Sequence, residues 1–519
     1  MVISYRASIA VSTGIFTEEN TMGLRINTNL NALNVLNNLQ KVSSSVSSSI
    51  EKLSSGLRIN SAADDPTGLT ISEALRAQVD GINQAISNSQ EATNLLKTAE
   101  GGLTEVNTLL RSLRQIAVHA SNTGVNDDNA LQADQSQVTA ALASIDRISN
   151  YTQYGSKKLL DGTSGVSAAT TNTSLISGIN FGGTFGGVTI QNGTVNITVN
   201  NAATRAQATG SATYASVNAT IATVGGGSTG SGGSIVINGQ TVQITGADTV
   251  QALIDKINNA ASTTGVSANF SAANGSGSII LTQQNYGGNF NINLQETSNL
   301  IVGTSGTSVT GSNATVTVTA SGLVNGVVTS VVSTFAGGRS ATDSGLRITD
   351  TYGNSILLTE QGNTTSGSST NATVAVVSNN DLQFQIGANA GQIVRASLGD
   401  VRTGSLGATI LSGQNLSTIN VTTASGSTNA LQIIDNAITD VSRLRATIGS
   451  VQKHTLESVV RSLGTSAQNI TASESQIRDT NVASEVVNYS KNQIIQQAAQ
   501  SVLAQANSAP NQVLALLRQ

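Results

Sequence analysis

Apolar residues recur at Leu30, Leu33, Leu36, Leu39, Val42, Val46, Ile50 and Leu53, in steps of three and four. That spacing puts them on one face of a helix, as in a coiled-coil seam, and Gly56 stands just beyond, where a left-handed C-cap is expected. The stretch Asn60-Ser61-Ala62-Ala63-Asp64-Asp65-Pro66 forbids a continuous helix, because the residue before a proline is pushed out of the helical region. Thr70-Ile71-Ser72-Glu73 reads as a capping box opening a second long helix, with Leu75, Val79, Ile82, Leu96, Leu103, Leu110 and Leu113 facing inward. Gly101-Gly102 is expected to weaken or bend that helix, and Asn122-Thr123-Gly124 to end it near Val118. A third helix is predicted from Asp128 to Ser149.

The C-terminal stretch repeats this logic. Leu431, Ile434, Ile438, Val441, Leu444, Ile448 and Val451 step by three or four, and Leu456, Val459, Leu463 and Ile470 extend the stripe. A last helix holds Val482, Val486, Ile494, Ala498, Val502 and Ala506, followed by Pro510 and the apolar end Val513-Leu514-Ala515-Leu516-Leu517. Neither end can bury so long a stripe alone, so the N-terminal helices are expected to pack against the C-terminal ones, with both chain ends at one pole.

Between them the period changes to two. Ser234–Ile237 and Gln240–Ile244 flank Asn238-Gly239, the residue pair that suits a type I′ hairpin turn. Thr249 to Ala261 reads as a short helix with Val250, Leu253, Ile254 and Ile257 on one side. Strands are predicted at 278–282, 290–294, 314–319, 327–332 and 382–386, and Gly225-Gly226-Gly227-Ser228 reads as a connector or loop tip. The fold class is therefore α+β and multi-domain: a discontinuous long-helix bundle built from both termini, with β-rich domains inserted between its halves.

Composition narrows the chemistry. Of 519 residues, charged ones are only 10%, against about 25% in ordinary domains, and aromatics are 3%. The absence of cysteine excludes disulfide frameworks, zinc ribbons and thiol nucleophiles. His119 and His454 are too far apart in sequence for a local metal-binding pair, and surface positions are expected for both. A net charge of −4 without a basic stripe argues against nucleic acid, and no apolar run is long enough to span a bilayer. The pairs Asp64-Asp65, Asp127-Asp128 and Glu18-Glu19 sit at turns or helix starts, where carboxylates satisfy free N–H groups, so capping is the expected role. The run Gly225 to Gly230 matches phosphate-loop patterns in letters only, since a strand follows it. No catalytic set, cofactor or metal is expected, and the chain reads as a non-enzyme. Arg111, Arg114, Arg147, Arg443, Arg445 and Arg478 admit two readings, a solvated face or pairing between subunits. Residues 1–21 lack a continuous apolar core of signal-peptide length and read as an upstream extension, with Met22 the expected first residue.

The termini resemble bacterial flagellin. The likeness is carried by Leu24-Arg25-Ile26-Asn27-Thr28-Asn29, by Leu53-Ser54-Ser55-Gly56-Leu57-Arg58-Ile59-Asn60-Ser61-Ala62, and by Lys158-Leu159-Leu160-Asp161-Gly162. At the other end it is carried by Ile494-Ile495-Gln496-Gln497-Ala498, Ser501 through Asn507, and Val513 through Arg518. Residues 235–286 also resemble a small module found inserted in flagellins and filament-cap proteins, which sets that module at about 231–290. The resemblance implies a filament subunit for swimming, exported without a cleaved signal peptide to the flagellum outside the cell. It implies residues 22–60 with 480–519 in the filament core, 61–163 with 405–479 in a helical shell, and 164–404 outside. The implied assembly interface comprises the stripe from Leu30 to Leu53 named above, with Ile494, Ile495, Val502, Leu503, Val513, Leu514, Leu516 and Leu517. Implied partners are identical subunits, cap and hook-junction proteins, and an export chaperone on the C-terminal helix. Flagellins recognised by the vertebrate Toll-like flagellin receptor carry arginine at the place of Ser112 and glutamate at that of Gln137, while Ile116 keeps an apolar side chain; weakened receptor activation is expected. Rival readings are a hook–filament junction protein and a secreted Ser/Thr-rich adhesin.

Overall fold

A computed structural model describes residues 28–221, 233–273, 276–296, 307–324, 326–341, 343–365 and 371–516. Glu18-Glu19, the Gly225–Gly230 run and the extension before Met22 lie outside the described residues. The chain forms two compact units, one of residues up to Asn83 with those from Gly464 onward, the other Gln84–Leu463.

The first unit holds α1 (Leu30–Ser55), the start of α2 (Pro66–Ala120), the end of α7 (Glu457–Arg478) and α8 (Val482–Leu516). Gly56 closes α1 as expected, with φ of +75° and its N–H donating to the Lys52 carbonyl at 2.9 Å. The start of α2 departs from expectation. It lies at Pro66 rather than at Thr70: Asp65 Oδ1 accepts from the Gly68 N–H at 2.8 Å, and proline's fixed φ suits the first helical position. The Thr70 hydroxyl donates back to the Pro66 carbonyl at 2.8 Å, and Glu73 turns to Arg76 and Arg478, so no capping box forms there.

In the second unit, helices and β-structure build three apolar cores. The first joins α2 (Leu96, Leu103, Leu110, Leu113), α3 (Asp128–Tyr151; Val138, Ile145) and α6 (Ala424–Ser450; Ile433, Ile434, Val441). A π-helical turn, Val451–Leu456, follows α6 and buries Leu456 in the same core. The hairpin Leu382–Gln385/Ile393–Ala396 and the loop after it also enter this core through Leu382, Ala396, Leu398 and Val401. Helix α2 runs unbroken through Gly101-Gly102. Gly102 faces Thr152 and the fully buried Leu160, where a Cβ would meet Leu160 Cδ1 at 2.8 Å, so its missing side chain permits close packing.

The second core lies in a ten-stranded antiparallel sheet. Its neighbours run Val166–Thr170, Ala372–Asn379, Gly193–Asn201, Thr315–Val324, Val327–Gly337, Arg347–Thr349, Ser355–Leu358 and Ile176–Asn180, with Val188–Ile190 beside Thr315–Val324 and Thr184–Phe185 beside Val188–Ile190. Phe181, Phe185 and Phe335 meet inside it, ring centres 5.8–6.5 Å apart. The third core belongs to the inserted module. There Asn238 (φ +48°) and Gly239 (φ +87°) make the expected left-handed turn between Gly233–Ile237 and Gln240–Ile244. Helix α4 (Val250–Asn259), capped by Thr249, buries Val250, Leu253, Ile254 and Ile257, and the one-turn α5 (Ala261–Thr264) follows.

Candidate assembly surface

Helices α1 and α8 pair antiparallel. Asn29, which precedes α1, touches Ala506 near the end of α8, while Leu57 forms a β-bridge to Asp479 just before α8 begins. The Asn29 amide serves both helices. Its Oδ1 accepts from the Ala32 N–H at 3.0 Å, capping α1, and its Nδ2 donates to the Ala506 carbonyl at 2.7 Å. Ala506 is the residue whose carbonyl would bond the N–H four places on, and that place is Pro510, which has none. Helix α8 therefore passes through the proline to Leu516 instead of stopping there.

At the opposite end the two connections between helices are tied together. The Arg58 N–H donates to the Arg478 carbonyl at 2.6 Å, and its guanidinium to the Ile477 carbonyl. The Thr480 N–H donates to the Gly56 carbonyl at 3.0 Å, and Arg478 Nη1 meets Glu73 Oε1 at 2.7 Å. That hydrogen bond from Arg478, helped by the charge of Arg76, holds the Glu73 carboxyl below its ordinary value. Asp64 fixes the preceding turn by accepting from the Ser61 and Asn60 N–H groups, which also lower its pKa. The carboxylate pairs thus cap, as Asp127 does for α3.

This pairing leaves the stripes half covered. Leu39, Val42, Val46, Leu53 and Leu503 are half-buried, but Leu30 (57%), Leu33 (46%), Leu36, Ile50, Ile494 (66%), Ile495 and Val502 (51%) are exposed. The side chains of Val513, Leu514, Leu516 and Leu517 lie outside the described residues. Val482, Val486 and Val487 on α8 and Ile71 on α2 are exposed as well. Ser112 on α2 and Gln137 on α3 are exposed, whereas Ile116 is half-buried against the helical core.

Four of the six arginines find partners within the chain. Arg114 meets Asp435 at 2.6 Å, Arg445 meets Glu100 at 3.8 Å, Arg443 bonds the Gly353 carbonyl at 2.9 Å and approaches Asp440, and Arg478 holds Glu73. Arg111 and Arg147 reach only neighbouring hydroxyls one turn back on exposed helix faces. Sequence reasoning missed one pairing: His119 Nδ1 lies 2.7 Å from the buried Asp134 Oδ2, though the imidazole is exposed.

Helices α1 and α8 thus leave a large apolar surface open to solvent. The sequence matches three family descriptions, in the order of the chain. These are the bacterial flagellin N-terminal helical region over residues 26–165, the flagellin hook IN motif over 220–285 and the bacterial flagellin C-terminal helical region over 431–517. A flagellin of Clostridium tyrobutyricum is 31% identical over 489 residues, covering 93% of this chain and 98% of that protein. A flagellin of Salmonella typhimurium is 30% identical over 529 residues, 95% of this chain and 99% of the relative. The solved structure of FliC from Burkholderia pseudomallei covers 70% of this chain and 98% of its own, at 17% identity and a TM-score of 0.26. The chain belongs to the bacterial flagellin family. It is a structural subunit of the flagellar filament, outside the cell.

Proposed function

We propose that α1 and α8 form the inner layer of the filament and that their exposed stripes are the contact between subunits. The observation that supports this is the exposure of Leu30, Leu33, Ile494 and Val502 on a helix pair that is otherwise well bonded. Each of these leucine, isoleucine and valine side chains gains about 1.5–3 kcal/mol when fully buried, so repeated contacts along a lattice favour growth. The contact is heterologous and does not close on itself, which yields a helical polymer rather than a ring. Val513, Leu514, Leu516 and Leu517 continue the stripe in sequence. Residues 22–60 with 480–519 are then the innermost layer and 61–163 with 405–479 the surrounding shell; of the 164–404 stretch expected outside, 382–401 pack in the helical core, which leaves about 166–379 as the outer part. The subunit acts without catalysis and leaves the cell by the flagellum's own channel. Its C-terminal helix is held by an export chaperone beforehand, and cap and junction proteins meet the same helical ends.

Deleting residues 504–519 tests this reading. Sedimentable polymer should be lost while far-UV circular dichroism shows the Gln84–Leu463 unit still folded. Filaments from that deletion would refute the interface. Sedimentation of the intact chain into ordered polymer also separates this reading from a monomeric adhesin.

A further inference from the structure

The ten-stranded sheet leaves one internal strand half open. Val327–Gly337 pairs with Thr315–Val324 through an unshifted antiparallel register, yet on its other side it meets Arg347–Thr349 only at Ala336 and Gly337. Among the described residues, the outward N–H and C=O groups from Val327 to Phe335 therefore have no ladder partner. Edges of this length are usually blunted by lysine, proline or a bulge. This one reads Val-Val-Thr-Ser-Val-Val-Ser-Thr-Phe, without charge, and Val327 (65%), Val328 (55%) and Val332 (58%) are exposed.

The side-chain pattern says what fits it. Along one face the edge carries Val328, Ser330 and Val332, a sequence that reads the same in both directions about Ser330. An antiparallel pairing of two such edges, about a two-fold axis normal to the sheet at Ser330, sets Val328 opposite Val332 and each Ser330 opposite the other. Residues of like face then stay on like face, as a continuous sheet requires, and no charges are brought together. We propose that Val327–Phe335 is an interaction surface that pairs with the same edge of a second copy of this chain, joining two outer sheets into one.

The chain has no cysteine, so Ser330→Cys introduces a lone thiol. Opposed Cα atoms in an antiparallel pair are about 4.5–5.5 Å apart, within reach of a disulfide. Full-length S330C, as sedimented polymer and as soluble protein, is oxidised with copper phenanthroline in air and run on a non-reducing gel. A disulfide-linked dimer is expected. Thr319→Cys, on the adjacent strand and opposite Val332, would lie three strand spacings across and four residues along from its counterpart, about 20 Å away, and should give none. Adding Val328→Lys and Val332→Lys to S330C faces lysine with lysine and should abolish the dimer while polymer still sediments. The proposal is overturned by absence of the S330C dimer in both states, by an equal dimer from T319C, or by a dimer that survives both lysines. Because polymer is scored separately, absence of the cross-link in both states while polymer still sediments removes the edge pairing alone and leaves the helical interface standing.

Discussion

Gly101 and Gly102 are adjacent in one helix, yet alanine should act on them in opposite directions. A Cβ at Gly101 meets nothing within 4 Å. Gly101→Ala therefore gains the helix propensity of alanine over glycine, about 1 kcal/mol. A Cβ at Gly102 would lie 2.8 Å from Leu160 Cδ1 and 2.9 Å from Thr152 Oγ1. Leu160 is fully buried, and the Thr152 hydroxyl is held by the Ile148 carbonyl at 2.7 Å, so neither can easily withdraw. Overpacking of this kind costs about 1–3 kcal/mol, which cancels or exceeds the same propensity gain. The two variants should thus differ by about 1–3 kcal/mol, with Gly102→Ala the less stable. Guanidinium titrations followed by far-UV circular dichroism, at unchanged slope, measure the difference. Equal stabilisation by both alanines would refute the packing argument, and equal destabilisation would show that the helix bends at this pair.

Two further outcomes are expected. Burial raises the Asp440 carboxyl to about 6, against the opposing charges of Arg443 and Arg347. Because the folded value is raised, the stabilisation is full below the ordinary value of 3.8 and is lost as pH rises through about 6. Asp440→Asn should flatten that decline, on the order of 3 kcal/mol, in denaturation midpoints taken across this window; an unchanged slope would remove Asp440 as its source. On the exposed faces of α2 and α3, Ser112→Arg with Gln137→Glu should raise the response of Toll-like flagellin receptor reporter cells above that of the parent chain. A parent already at full potency would sink that expectation.

Local signals were legible wherever the physics is local. The Asn238-Gly239 turn, the stripe of α4 and the Gly56 cap follow from backbone preferences and period alone, and the structure has them in place. The start of α2 was misread because two helix-start signals compete within a few residues. Asp65-Pro66 prevails, as a carboxylate cap combines there with a preset φ. The sheet order was not legible, since Gly193–Asn201 lies between Thr315–Val324 and Ala372–Asn379, pairings spanning more than a hundred residues. The double bond of Asn29 was hidden for the same reason. Its need arises at Pro510, and only the antiparallel pairing brings the two together. Of the two apolar stripes, the residues were legible from their spacing, but their exposure depends on how much of each stripe the neighbouring helix covers.

The sheet's point of departure from the helical part has a use in engineering. Val166 and Asn379 stand opposite each other as paired residues, so the chain enters the ten-stranded sheet and leaves it on neighbouring strands. The segment after Asn379 already belongs to the helical core through Leu382 and Leu398. A foreign domain whose own ends lie side by side could therefore replace everything between Val166 and Asn379 with its two splice points kept in register. The display site on this subunit is a doorway one strand-pair wide, and its frame is Leu159, Leu160 and Leu398.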